Sequence, residues 1–452
     1  MRLPFRKTWI LFVTLIAAAT TAAPARSDDA TDRDTAQQDR IEELEKKVDV
    51  LTDELSRMRT EQAVPESGSL QSFAGMGPAA SKVYGIAKGL SIGGYAEGYY
   101  AHLFSNKNQN PNGDPQGAAS MTDALRTVLY VGYKFNENLV FNSEFEWEHA
   151  GVSDDSAKFD VGGEAIAEFA ALDWRLRPWA TLRTGLMLLP IGFINQVHEP
   201  PFFNGVSRPE VEQVIIPTTW RENGVGLYGD ISENVSYSAY LVTGLDSLGF
   251  GPDGIAGGRT LGNQSRAEDV AGVVRVDWRP PLEGVLLGGS LYGGGADQGR
   301  SGFGDAKLML WELHAQYRWQ GLQLRALYTQ SFIDGASKVT RALVDRGDLD
   351  PGQVVGNEQL GGYVEAAYDV MPFLGLSSDW SLTPFFRVEY YNTQQSVPSG
   401  FDRDKSQEVW LFTPGIGFKP TPNVVYKLDF RSFNPAQGKT TNQVELGFGV
   451  AF

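Results

Sequence analysis

Between Leu90 and Phe452, apolar and polar side chains alternate in runs of about ten residues, the length a tilted strand needs to cross a bilayer. In one run Phe141, Phe145 and Trp147 oppose Asn142, Glu144, Glu146 and Glu148. In others Leu125, Leu129, Val131 and Tyr133 oppose Arg126 and Lys134, and Leu322, Leu324 and Tyr328 oppose Gln323 and Arg325. Successive side chains of a strand point to opposite faces, so each run has one greasy face and one charged face. A base on a lipid face at the bilayer midplane would cost about 2 to 4 kcal/mol, so the charged faces are expected to look into a lumen. Short connections rich in turn formers, such as Asn136-Glu137-Asn138, Ser232-Glu233-Asn234 and Gln320-Gly321, alternate with long ones. The fold class expected is all-β: a transmembrane β-barrel of roughly 16 antiparallel strands over residues 90–452. It must be closed, because lipid cannot satisfy an open sheet edge.

The N-terminal pattern is different. Arg2, Arg6 and Lys7 precede an apolar run from Trp9 to Ala19 and the small residues Ala23-Pro24-Ala25, the layout of a secretory signal peptide over 1–25. Ile41, Leu44, Val48, Leu51, Leu55 and Met58 then recur at spacings of three and four, predicting a short helical coiled coil within 26–64. An amphipathic helix packed on a domain is the alternative, but no domain adjoins it. Ser, Gly, Ala and Pro dominate residues 65–89, which read as a flexible linker. The coiled coil is expected to hang in the periplasm, within reach of peptidoglycan.

The last strand alternates Val444, Leu446, Phe448, Val450 and Phe452 with Glu445 and glycines. A terminal phenylalanine in that setting resembles the signal by which Gram-negative assembly machinery recognises outer-membrane barrels, so Phe452 is the expected contact with that machinery. Zero cysteines exclude a disulfide scaffold and cysteine-ligated metals. A net charge of −16 argues against nucleic acid as a partner. Aromatics near strand ends, Trp174, Trp179, Trp278, Trp319, Tyr390, Tyr391 and Trp410, are candidates for interfacial girdles.

One long connection, from Pro190 to Thr219, is too hydrophobic to wave in water and is expected to fold into the lumen as a constriction loop. Its candidate residues are Asn195, His198, Glu199, Arg208, Glu210 and Glu212. Pore-lining candidates on the strands are Arg126, Glu144, Glu146, Glu148, Arg183, Arg325, Arg387, Lys427 and Arg431. With acids on the third strand and bases on the eleventh, thirteenth and fifteenth, a transverse field is expected across the lumen.

The stretch Leu189-Pro190-Ile191-Gly192-Phe193, followed by this loop and then Trp220-Arg221-Glu222-Asn223-Gly224-Val225, resembles the core of the phosphate-selective porin O and P family. Ile92-Gly93-Gly94-Tyr95-Ala96-Glu97-Gly98-Tyr99 is similar to that family's opening strand. The resemblance covers residues 90–452 and implies a trimeric outer-membrane barrel with passive channel activity. Inward acids and bases nearly balance, so only a mild anion preference, for phosphate or carboxylates, is expected. The core rule for Ile41 and Val48 at a with Leu44 and Leu51 at d leans to a dimer, yet so short a coiled coil is expected to follow the barrel's threefold symmetry.

Other motifs weigh less. Gly224-Val225-Gly226-Leu227-Tyr228-Gly229 matches a dinucleotide-binding string but lies within a strand. Asp345, Asp348 and Asp350 read as a solvated loop before a calcium site. His198 beside Glu199 reads as a hydrogen-bonding residue rather than a catalyst. The expectation is therefore an outer-membrane porin without enzymatic activity, cofactor or metal, passing small hydrophilic solutes and ions. A barrel-anchored periplasmic tether and a phospholipase-type enzyme are the alternatives.

Overall fold

The computed structural model describes residues 72–104, 119–151, 163–375 and 380–452, together with Arg40, Leu44, Lys46 and Lys47, which are helical. The expected signal peptide, and all but those four residues of the expected coiled coil, lie outside the described residues. From Ser72 onward the chain opens with a helix, α1 (Pro78–Gly85). Four strands follow, β1 (Gly89–Leu103), β2 (Ser120–Asn136), β3 (Leu139–Glu148) and β4 (Ala165–Arg177). After β5 (Ala180–Leu188) the long connection L3, residues 189–220, holds a 3-10 turn at Pro200–Phe202 and one α-helical turn, α2 (Val211–Val214). Next come β6 (Arg221–Ser232), β7 (Val235–Thr243), β8 (Val270–Trp278), β9 (Val285–Gly295), β10 (Lys307–Trp319) and β11 (Leu322–Asp334). Helix α3 (Ala336–Arg346) separates these from β12 (Glu358–Tyr368), β13 (Ser381–Ser396), β14 (Glu408–Thr421), β15 (Val424–Pro435) and β16 (Thr441–Ala451).

Every strand pairs antiparallel with its sequence neighbours, and β1 pairs with β16 to close a barrel of 16 strands. Closure extends to the last residue: Phe452 N–H donates to the Gly94 carbonyl and Gly94 N–H to the Phe452 carbonyl, each at 2.9 Å. Burial follows the alternation and is inverted relative to a water-soluble protein. Phe145, Trp147, Leu241, Leu313, Phe386 and Phe448 stand on the outside, while Glu144, Glu146, Arg183, Arg387 and Glu389 are buried in the lumen. This inversion is what lipid outside and a polar interior require. The girdle tryptophans Trp174, Trp179, Trp278, Trp319 and Trp410 are all outward. Tyr391 is the exception: adjacent to Tyr390 and so on the opposite face, it turns inward into the packed lumen.

The expected flexible linker over 65–89 is corrected from Ser72 onward, where the chain is folded. Pro78 opens α1 at a position whose missing N–H costs nothing. The helix buries Ala79, Ala80 and Val83 against the inner face of β1, β2 and β3. Gly132 makes the fit possible, since a Cβ there would lie 2.6 Å from Val83 Cβ. Lys134 Nζ donates to the Tyr84 carbonyl at 3.1 Å and Asn142 Nδ2 to the Ala80 carbonyl at 2.8 Å. The segment therefore belongs to the barrel's periplasmic end, where the short turns and both ends of the barrel sheet meet.

Candidate functional site: the loop in the lumen

L3 enters the lumen and stays there because its own side chains tie it to the wall. At its neck Leu189 N–H donates to the Trp220 carbonyl at 2.9 Å. Asn195 clasps the neck from within, its Nδ2 donating to the carbonyls of Leu189 and Trp220 at 2.8 and 2.9 Å and its Oδ1 accepting from Trp220 N–H at 2.6 Å. Glu212 joins the two arms: one carboxylate oxygen accepts from the N–H groups of Phe193 and Ile194 at 2.7 and 2.8 Å, the other from Tyr363 Oη of β12 at 2.6 Å. Its burial pushes the carboxyl up, against these donors. Ile191, Ile194, Val211, Ile215, Ile216 and Trp220 form one apolar core with inward residues of the wall such as Tyr240, Tyr292 and Leu310. The loop is thus a packed plug over much of the barrel's width.

The lower arm descends to the periplasmic end. Glu199 accepts from Ala79 N–H at 3.0 and 3.1 Å and from Ala80 N–H at 3.2 Å, which supplies the N-terminal cap that α1 lacks from its own sequence. Burial pushes its carboxyl up to about 7, the two N–H groups pulling the other way. Pro200 lies against the inner face of β16, where a Cβ on Gly449 would come 2.3 Å from Pro200 Cβ; this is what the glycines between the lipid-facing residues of that strand are for. Replacing Glu199 with alanine leaves two buried N–H donors unmet and should cost about 0.5 to 2 kcal/mol locally. Limited proteolysis should then cut between residues 72 and 85 in the variant and not in the wild type, whereas equal resistance would show that α1 is held by its apolar face alone.

The middle of the loop meets the β12–β16 wall through charges. Arg387, fully buried, bridges Glu365 at 3.1 Å and Glu389 at 2.8 Å and donates to the carbonyls of Asn204 and Ser207. Arg431 pairs with Glu210 at 2.5 Å and with Glu445 at 3.5 Å. Val206 N–H reaches Asp429 at 2.6 Å. Arg208 turns back onto its own loop, donating to Thr218 Oγ1 at 2.7 Å. Across the barrel Arg126 stands among Glu97, Glu146 and Glu148 at 3.0, 3.4 and 3.6 Å, Arg183 is bound to Asp173, and Glu144 faces His198. All six loop candidates therefore lie in the lumen, and each is engaged in holding the loop. The strand candidates face the lumen as well. The acids and bases do not stand as two opposed walls, however, because opposite charges sit side by side on neighbouring strands, as Arg325, Glu365 and Arg387 do in register on β11, β12 and β13.

Space remains beside the β11–β15 wall. A cavity of about 290 Å³ opens between the L3 arm from Pro201 to Gly205 and the strands β11 to β15, close to the tight turns. Arg325, Lys419 and Lys427 line it, against the single carboxylate of Asp369. Lys427 Nζ lies 3.6 Å from the centre of the Phe203 ring and has no hydrogen-bond partner. Lys419 Nζ donates to the Pro201 carbonyl at 2.5 Å. Lys419 escaped sequence reading because it sits where Pro420 and Pro422 signal a turn, yet β14 runs on to Thr421.

A protein of Aquifex aeolicus (strain VF5), described as uncharacterized, is 36% identical over 378 residues, 83% of this chain and 82% of that protein. No protein-family model matches the chain. Similar solved structures include the loop L8 deletion mutant of OmpT, an outer membrane protein of Vibrio cholerae, with TM-score 0.50, 10% identity, and coverage of 81% of this chain and 100% of that one. Pseudomonas putida OprB gives TM-score 0.50 at 10% identity, over 80% and 94% of the two chains. Salmonella typhi OmpF in complex with daunomycin gives 0.50 at 13%, over 80% and 97%. At these identities the likeness is one of fold, the outer-membrane β-barrel. That fold, with its outward apolar band and aromatic girdles, locates the protein in an outer membrane.

Proposed function

The chain belongs to one family with the Aquifex aeolicus protein, and we propose that it is a passive diffusion channel of narrow bore for small hydrophilic solutes and ions, with a mild preference for anions such as phosphate or carboxylates. The observation that carries this reading is the cavity beside L3, where three bases meet one acid. A packed loop across most of the lumen leaves the flank along β11 to β15 as the path, so solutes are selected by width and by the charge they pass. No bond is made or broken. The resemblance of the loop region to phosphate-selective porins favours a homotrimer, assembled through recognition of the C-terminal strand and Phe452. The heptads of residues 41–58 favour a coiled coil that follows the trimer and reaches towards peptidoglycan.

Lys419 and Lys427 are the residues to test. A unit charge about 4 Å from a passing ion is worth about 1 kcal/mol in water, and salt screens it. Replacing both lysines with glutamine should therefore move the reversal potential in a salt gradient towards cation preference while leaving the barrel folded. An unmoved reversal potential would mean that ions do not pass this flank.

A further inference from the structure

On the opposite side of the loop, His198 of L3 faces Glu144 of β3 and Glu168 of β4. Its Nδ1 lies 3.1 Å from the Asn195 carbonyl, which can only accept, so Nδ1 carries a hydrogen. Its Nε2 lies 3.4 Å from Glu144 Oε1 and 3.2 Å from Glu168 Oε2. In the neutral ring three lone pairs then converge on one point. All three residues are at most 2% exposed. By hydrogen-bond geometry two oxygens of the cluster accept from no donor, Glu168 Oε2, which points at the imidazole, and Glu144 Oε2; the carboxyl of Glu146 on β3 stands beside Glu168 as a further acid. Arg221 reaches only the far oxygen of Glu168, at 3.4 Å. Buried carboxylate oxygens without donors call for a cation.

The spacing suits a metal ion. Ligands held at roughly 2.0 to 2.2 Å around a tetrahedral centre stand roughly 3.3 to 3.5 Å apart, close to the two distances observed here. The backbone carbonyl on Nδ1 is the outer partner that fixes the tautomer of a metal-bound histidine. One nitrogen and two carboxylate oxygens suit a borderline divalent ion of the zinc class, with water completing the shell. We propose that Glu144, Glu168 and His198 bind one divalent transition-metal ion, which pins L3 to the β3–β4 wall. The site links the loop to β3 and β4, none of whose residues line the cavity of the proposed path, and its existence does not depend on that path conducting.

The full-length protein, extracted in detergent and stripped with a chelator, is dialysed against micromolar zinc, and the bound metal is measured by mass spectrometry. Cobalt replaces zinc in a second sample, read by visible absorption. The wild type is expected to take up one equivalent and to show the intense bands of low-coordinate cobalt. The variants H198Q and E168Q are expected to fall to background while keeping the heat-modifiable gel mobility of a folded barrel; K427Q should retain the metal. No zinc in the folded wild type would overturn the proposal and leave a protonated imidazole as the cation between the carboxylates. Retention of a full equivalent by both E168Q and H198Q would overturn it equally. If H198Q does not fold, E168Q and the cobalt spectrum of the wild type decide.

Discussion

Excising residues 195–214 should leave a closed barrel whose single-channel conductance is several-fold that of the wild type. The excised segment carries Ile215's helical neighbours Val211 and Val214, the lower arm from Pro200 to Ser207, and the hydrogen bonds and ion pairs that hold the loop against β12 to β16. The strands need none of it, since their ladders are complete without L3. Two costs follow. Wall residues that Phe203 and Val211 cover become wet, at about 25 cal/mol for each Å² uncovered, and α1 loses Glu199 as its cap. The variant should therefore be less resistant to denaturant, yet keep its heat-modifiable mobility. Unchanged conductance from a folded variant would mean that the loop does not set the bore.

Arg387 should be the costliest single polar side chain to remove. It is buried, and it is the shared cation of Glu365 and Glu389 while donating to two carbonyls of the L3 arm. Arg387→Ala strands two carboxylates in the lumen, a loss of about 3 to 5 kcal/mol. Arg387→Lys keeps the charge but not the planar fork and should lie between. Denaturant unfolding of the protein in detergent measures both. A loss under about 1 kcal/mol for the alanine variant would show that water reaches these carboxylates and that the arm is looser than the hydrogen bonds imply.

The strands were legible because lipid imposes alternation on every crossing, and the roughly 16 antiparallel strands expected over residues 90–452 are the 16 that run from Gly89 to Ala451. The loop was legible because so apolar a connection must be buried. Helix α1 was hidden in a stretch of small residues whose one helical signal was Pro78 after Gly77, and its cap comes from a residue far along the chain, Glu199. The charge pattern was legible only as facing inward. Which acid meets which base depends on strand register and on where L3 descends, and neither is written in any local run. Thus the expected opposed walls become paired charges, and the excess of bases at Arg325, Lys419 and Lys427 emerges only once the loop is in place.

If the proposed function holds, a conducting path with a base-lined flank survives beside the packed loop. Purified folded protein in a planar bilayer under a salt gradient tests it directly. Discrete current steps of small amplitude and a reversal potential displaced to the anion side are expected. Protein that inserts and keeps its folded mobility, yet carries no current or prefers cations, would contradict it.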